Sequence, residues 1–191
     1  LCDEHADWYP SISDIKAKLN DRTRAIIIIN PNNPTGAVYD KQILIELIEV
    51  ARANNLIIFS DEIYGKITFD NTPFIPVAAL SEDVFTVSFS GLSKTYKLAG
   101  FRCGWMVMSG PKHLALNYIE GLNILSNMRL CSNVLAQFAV EPALRNDSLS
   151  QQLTLPNGRL ESQRNITWNA LNNIPGINCV KPGGAFYLFP K

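Results

Sequence analysis

Short runs of β-branched apolar residues alternate along this chain with longer segments whose apolar positions recur every three or four residues. Ala25-Ile26-Ile27-Ile28-Ile29 is apolar without alternation, the pattern of a strand buried on both faces. Asp40 is placed to cap a helix running to about Asn54, because Leu44, Leu47, Ile48 and Ala51 fall on one helical stripe. Strands are predicted at Leu56–Phe59, Val84–Phe89 and Cys103–Met108. Pro111 suits the first turn of a helix reaching about Met128. A further helix is predicted from Asn133 to Arg145, kinked or shortened by Pro142.

This order of strands and helices implies an α/β fold: a largely parallel sheet with helices on both faces. From Pro156 the texture changes to a polar helix, Arg159–Asn173, followed by a hairpin-like pair of strands, Ile177–Val180 and the apolar run Ala185–Phe189. Residues 1–155 are therefore expected to be part of a large domain, and residues 156–191 the beginning of a small α+β C-terminal domain.

Composition narrows the function classes. Lys+Arg and Asp+Glu both number 17, so the formal charge is zero and polyanion binding has no electrostatic basis. Apolar residues are 47% and charged residues 18%, the latter below the roughly 25% of an average soluble domain. That excludes disorder and suggests surface that meets other protein. Apolar runs such as Ala25–Ile29 fall far short of the roughly 20 residues that span a bilayer. Nucleic acid and membrane are therefore not expected as partners. Cys2, Cys103, Cys131 and Cys179 are widely spaced, without metal-ligand rhythm, and read as reduced thiols of a cytoplasmic protein. The chain opens on Leu1 and stops just after an apolar run, so a portion of a longer protein is expected.

Four features follow predicted strands, at the edge where open α/β sheets bind ligands. Asn30-Pro31-Asn32-Asn33-Pro34-Thr35-Gly36 is a turn stiffened by two prolines, which can hold an amide toward an oxyanion. Ser60-Asp61-Glu62-Ile63-Tyr64 sets a carboxylate at a strand end with a phenol three residues on. Ser88-Phe89-Ser90-Gly91-Leu92-Ser93-Lys94 surrounds a lysine with small or hydroxylic residues. Gly100-Phe101-Arg102-Cys103-Gly104-Trp105 places a guanidinium between glycines, as bidentate phosphate binding requires. Taken singly, these are a structural turn, a helix cap, a solvated lysine and a surface ion pair. Together they match one ligand: an aldehyde for Lys94, a cationic ring nitrogen for Asp61, a ring oxygen for Asn33 and Tyr64, and a phosphate for Arg102. Pyridoxal phosphate carries all four groups.

The same blocks, in the same order, resemble the class I/II, fold-type-I pyridoxal-phosphate aminotransferases. The likeness extends to Lys181-Pro182-Gly183-Gly184-Ala185-Phe186-Tyr187, which resembles the opening of that family's small domain. The stretches around Asn30–Tyr39, Asp61–Ile67 and Gly91–Trp105 are most similar to the bacterial glutamate–pyruvate (alanine) branch. The resemblance implies that Lys94 forms the Schiff base and moves the substrate proton, and that Asp61 keeps the ring nitrogen protonated. It implies that Asn33 and Tyr64 bond the phenolic oxygen, with Asn33 also meeting substrate, and that Arg102 holds the phosphate with Ser93 and Ser90. One departure is Gly91, where many members carry a phosphate-binding serine. The family's Gly-rich phosphate loop, ring-stacking aromatic and carboxylate-binding arginine are not placed in this sequence. A homodimer acting on an amino acid and a 2-oxo acid is implied. The alternatives are a carbon–sulfur lyase or decarboxylase on the same fold, and a cofactor-sensing domain of a transcription regulator.

Overall fold

Alternate residues of one short strand, Ile57 and Phe59 against Ile58, enter two different hydrophobic clusters, as the pleat of a strand covered on both faces dictates. A computed structural model describes residues 2–146 and 148–191 of the chain. Its helices are α1 (Ile12–Lys18), α2 (Lys41–Ala53), α3 (Leu116–Arg129), α4 (Val134–Arg145), α5 (Ser148–Thr154) and α6 (Arg159–Asn172). Its strands are β1 (Ala25–Ile29), β2 (Ile57–Asp61), β3 (Thr86–Gly91) and β4 (Gly104–Ser109).

The strands lie in sequence order; β1 pairs with β2 and β2 with β3 in parallel, while β3 and β4 are antiparallel. The α2 crossover makes the first parallel pair possible, whereas residues 92–103, with only the 3₁₀ turn Ala99–Phe101, bring the chain back beside β3. Asp40 caps α2 by accepting the Ile43 N–H at 2.9 Å. The buried stripe Leu44, Leu47, Ile48 and Ala51 then packs on Ile28, Ile58 and Val84 on one side of the sheet. On the other side Ala115, Tyr118 and Ile119 cover Phe85, Val87 and Phe59. The mostly parallel sheet with helices on both faces agrees with the sequence pattern.

Three local expectations are corrected. Ile27 is 75% exposed, so β1, an outer strand of the sheet, is not buried on both faces along its length. Past Pro111 the chain makes a 3₁₀ turn, Lys112–Ala115, before α3 begins at Leu116. The segments Ile177–Val180 and Ala185–Phe189 form no strands. Asn178 and Lys191 exchange backbone hydrogen bonds of 3.0 and 2.8 Å, while Gly184 and Ala185 donate instead to Gly36 and Ile67. Their backbone donors are thus spent on the Asn30–Gly36 turn and the loop after β2, which anchors this segment over the sheet edge. Pro142 lies inside α4, which continues to Arg145. No helix among the described residues is long and apolar enough to cross a membrane.

Candidate functional site

The C-terminal ends of β1, β2 and β3 converge. Asn30 continues from β1 and donates its backbone N–H to the Asp61 carbonyl at 3.0 Å, tying the ends of β1 and β2 together. In the turn that follows, both Asn30–Pro31 and Asn33–Pro34 are cis. Asn32 closes this turn: its Oδ1 accepts the Thr35 hydroxyl at 2.8 Å, and its Nδ2 donates to the Ile29 carbonyl at 3.3 Å. With the Asn32 side chain spent within the turn and on Tyr39, Asn33 is the amide that lines the cleft at this edge.

Asp61 and Glu62 are neighbours with opposite surroundings. Asp61 lines the cleft and accepts the Ile63 N–H at 3.1 Å. The Glu62 Oε1 accepts from the Ser60 hydroxyl at 3.0 Å, the Val77 N–H at 3.2 Å and the Ser88 hydroxyl at 3.4 Å. Ser60 and Ser88 are register partners on β2 and β3, so Glu62 ties the two strands together. Burial pushes its carboxyl above the usual range, against the pull of those hydrogen bonds. Tyr64 is 3% exposed, and its hydroxyl stands 2.5 Å from that of Tyr187. Burial first, and then Tyr187, raise the Tyr64 phenol well above its ordinary value, while the Asn33 side chain opposes the rise.

Ser90 near the end of β3, and Ser93 and Lys94 beyond it, line the same cleft. Gly91 pairs with Gly104 at the end of the sheet. A Cβ at Gly91 would sit 2.8 Å from the Cys103 carbonyl oxygen and 3.0 Å from the Gly104 Cα, so this backbone has no room for the serine that many aminotransferases carry. Hydrogen bonds of 3.0 Å from Leu92 N–H to the Cys103 carbonyl and from Leu98 N–H to the Leu92 carbonyl fold the lysine loop back. Arg102, at left-handed φ of 49°, ends the short turn before β4 and donates to the Ala99 carbonyl at 2.9 Å. All seven residues singled out in the sequence (Asn33, Asp61, Tyr64, Ser90, Ser93, Lys94 and Arg102) line one cleft of about 430 Å³. An amine, a carboxylate, a phenol, an amide, a guanidinium and two hydroxyls therefore face a common space. Such a donor set can meet a carbonyl, a cationic nitrogen, an aryl oxygen and a phosphate in one ligand.

The sequence profile described as "Aminotransferase class I and II" matches residues 1–191. The chain belongs to that family. It is 56% identical over 191 residues to the glutamate-pyruvate aminotransferase AlaA of Escherichia coli, covering 100% of this chain and 47% of that protein. It is 49% identical to the alanine aminotransferase of Mycobacterium tuberculosis, covering 100% of this chain and 44% of that one. A crystal structure of an Escherichia coli aminotransferase superposes with a TM-score of 0.98 at 56% identity, covering all of this chain and 47% of its own. The alanine aminotransferase of Pyrococcus furiosus gives 0.88 at 38% identity, covering 100% and 48%. This aminotransferase chain spans about half the length of the relatives it matches.

One polar cleft residue of this aminotransferase chain is not marked as a site residue by the sequence pattern: Tyr187, which lines the cleft beside Tyr64. The usable signal lies in two glycines, Gly184 just before it and Gly36 in the turn after β1. A Cβ on Gly184 would lie 2.7 Å from Val38 Cγ2 and 2.9 Å from the Ile67 carbonyl oxygen, and one on Gly36 would lie 2.3 Å from Pro182 Cβ. Glycine at both positions permits the backbone contact that carries Tyr187 to the sheet edge.

Proposed function

We propose that this chain is the cofactor-binding part of a pyridoxal-phosphate-dependent aminotransferase, with alanine–pyruvate and glutamate–2-oxoglutarate as its amino-acid and 2-oxo-acid pairs. The observation that carries the reading is the convergence of Lys94, Asp61, Tyr64, Asn33 and Arg102 on one cleft from the ends of adjacent strands and the loop before β4. This donor set fits the cofactor group for group, and relatives at 49–57% identity bear the names of alanine and glutamate-pyruvate aminotransferases.

When bound, pyridoxal phosphate supplies an aldehyde that captures an amine and a ring that accepts electrons from the substrate carbon. Lys94 Nζ would be the amine that holds that aldehyde, and the same amine would serve as the base for the substrate proton. The Asp61 carboxylate would hold the ring nitrogen and keep it protonated by charge pairing. Tyr64 and Asn33 would hold the ring oxygen with hydrogen-bond donors, and Asn33 would also meet the substrate. Arg102, with the hydroxyls of Ser90 and Ser93, would hold the phosphate.

Residues 1–155 belong to the large, cofactor-binding domain in this reading, and residues 156–191 open the small one. The complete enzyme pairs as a homodimer in the cytoplasm. The exposed Leu130, Leu135 and Phe138, on α4 and the loop before it, support the pairing, and the four free cysteines accord with a reducing compartment.

The test uses the complete protein with alanine and 2-oxoglutarate. Formation of glutamate and pyruvate is expected; release of ammonia without glutamate would overturn the reading in favour of a lyase. Borohydride should bleach the visible band and fix the cofactor to Lys94, and Lys94→Ala should lose the band. A band that survives Lys94→Ala and resists borohydride removes the lysine from its role.

A further inference from the structure

Tyr64 and Tyr187 are 123 residues apart in sequence, yet their hydroxyls are 2.5 Å apart and their rings meet edge to face with centroids 5.6 Å apart. The contact is built rather than incidental. Gly184 donates to the Gly36 carbonyl and Ala185 to the Ile67 carbonyl, each at 2.9 Å, and Phe69 donates to the Gly183 carbonyl at 2.9 Å. Ala185 is fully buried with φ of 55°, a left-handed turn that redirects the chain into Phe186 and Tyr187. Three backbone hydrogen bonds and one left-handed residue therefore set where the Tyr187 hydroxyl lies.

A phenol has one proton to give and lone pairs with which to accept. If Tyr64 spends its proton on Tyr187, it cannot offer it to the cleft. If Tyr187 donates instead, Tyr64 accepts from Tyr187 and from the nearby Asn33 amide, and its own proton is free for the cleft. We propose that Tyr187 is a positioning residue of this site, its hydroxyl donating to that of Tyr64 and so directing the Tyr64 proton to the ring oxygen of the bound cofactor. This rests on the cofactor reading above and extends it to the segment after Gly184. The chain of two donors polarises Tyr64 and makes it the stronger donor. Burial keeps the Tyr64 phenol protonated, as a donor must be.

The groups that face this pair are Asp61, Asn33, Lys94 and Arg102 from the cleft lining, with Lys94 Nζ and Lys97 Nζ at 5.8 and 5.9 Å from the Phe186 ring centre. Phe186 in turn packs edge to face on Tyr64. All of these remain in a Tyr187→Phe variant, which keeps the ring contacts and removes only the hydroxyl.

The readout is the visible absorbance of the cofactor-loaded complete enzyme, titrated with pH without substrate. A stabilised negative charge on the ring oxygen changes the pH at which the lysine–cofactor linkage gives up its proton, and losing a donor to that oxygen moves the midpoint upward. Tyr64→Phe should move the midpoint up by about one unit, and Tyr187→Phe by about half a unit, roughly a threefold change in proton affinity. The double variant should match Tyr64→Phe alone, because Tyr187 acts only through Tyr64. A purely structural role for Tyr187 would not produce that non-additive pattern. A midpoint that moves in Tyr64→Phe but stays put in Tyr187→Phe, or shifts that add in the double variant, overturns the role of Tyr187 alone. No shift in either variant overturns the donor roles of both tyrosines. Absence of a borohydride-sensitive band in the wild type overturns the cofactor reading and, with it, this proposal.

Discussion

Arg164 and Asp70 form a two-point ion pair across 94 residues of sequence, with Nη1 at 2.7 Å from Oδ2 and Nη2 at 2.8 Å from Oδ1. The guanidinium also donates to the Pro182 carbonyl at 3.3 Å and lies over the Phe69 ring at 4.5 Å. The pair thus latches α6 onto both the loop after β2 and the segment that carries Tyr187. Its two members are unequal: the Arg164 side chain is 3% exposed and the Asp70 side chain 51%.

That asymmetry sets the first prediction. Asp70→Asn leaves a buried guanidinium short of its counter-charge, whereas the lost carboxylate was half in water. With Glu161 3.7 Å away as partial compensation, the expected loss of stability is about 2 kcal/mol, below the range for a fully buried pair. Arg164 holds the Asp70 carboxyl below its ordinary 3.8, so the folded state has the lower pKa. The pair's contribution is therefore present above the unfolded value and lost as pH falls through the depressed folded value. Urea midpoints measured from pH 7 down to 2 should show this acid loss in the wild type and a weaker one in Asp70→Asn.

Glu62 has the opposite sign. Its folded carboxyl titrates above the ordinary 4.5 because it is buried. The stability it contributes is full below the unfolded value and is lost as pH rises through the raised folded value. Glu62→Gln keeps an acceptor for Ser60, Ser88 and Val77 but cannot ionise. The variant should therefore lose less stability than the wild type as pH rises from about 4 to 8. Parallel pH profiles for the two proteins would contradict the assignment.

Gly36 has φ of 73° and would place a Cβ 2.3 Å from Pro182 Cβ. Gly36→Ala combines left-handed strain with overpacking and should cost about 3 kcal/mol. Because this turn also carries Asn33 and receives the Gly184 N–H, cofactor retention should fall with stability. Thermal unfolding together with cofactor release on dialysis tests both.

Arg102 is the only guanidinium lining the cleft among the described residues. Arg102→Ala removes a charge-assisted contact worth about 2 kcal/mol, or roughly 30-fold in the dissociation constant of pyridoxal phosphate. Arg102→Lys should recover part of that loss, since it restores the charge but not the fork. Cofactor titration followed by fluorescence would measure it; an unchanged constant in Arg102→Ala would take the phosphate contact away from this residue.

Much of the site was legible from local sequence. Asp61, Lys94 and Asn33 each stand just past an apolar run, and strand ends in an α/β fold project onto one edge, so their convergence follows from the alternation of elements. The helix α2 was equally plain, because its cap and apolar stripe are contained within its own residues. Ile27 was misread because periodicity reports that a residue is apolar, while cover depends on which element lies over it. Ala185–Phe189 has the composition of a strand but forms none, because Ala185 donates to the Ile67 carbonyl and Gly184 just before it to the Gly36 carbonyl.

By itself, then, the sequence determined the alternation of elements, the cap and buried face of α2, and the set of reactive groups at strand ends. Each depends on residues a few positions apart. Only the tertiary structure decided that Tyr187 meets Tyr64, that Arg164 pairs with Asp70, and that Glu62 turns to Ser88 while Asp61 turns to the cleft. The two longest of these contacts join residues 94 and 123 positions apart. No local pattern encodes such pairings; they arise when close backbone contacts at Gly36 and Gly184 bring separate segments over the same sheet edge.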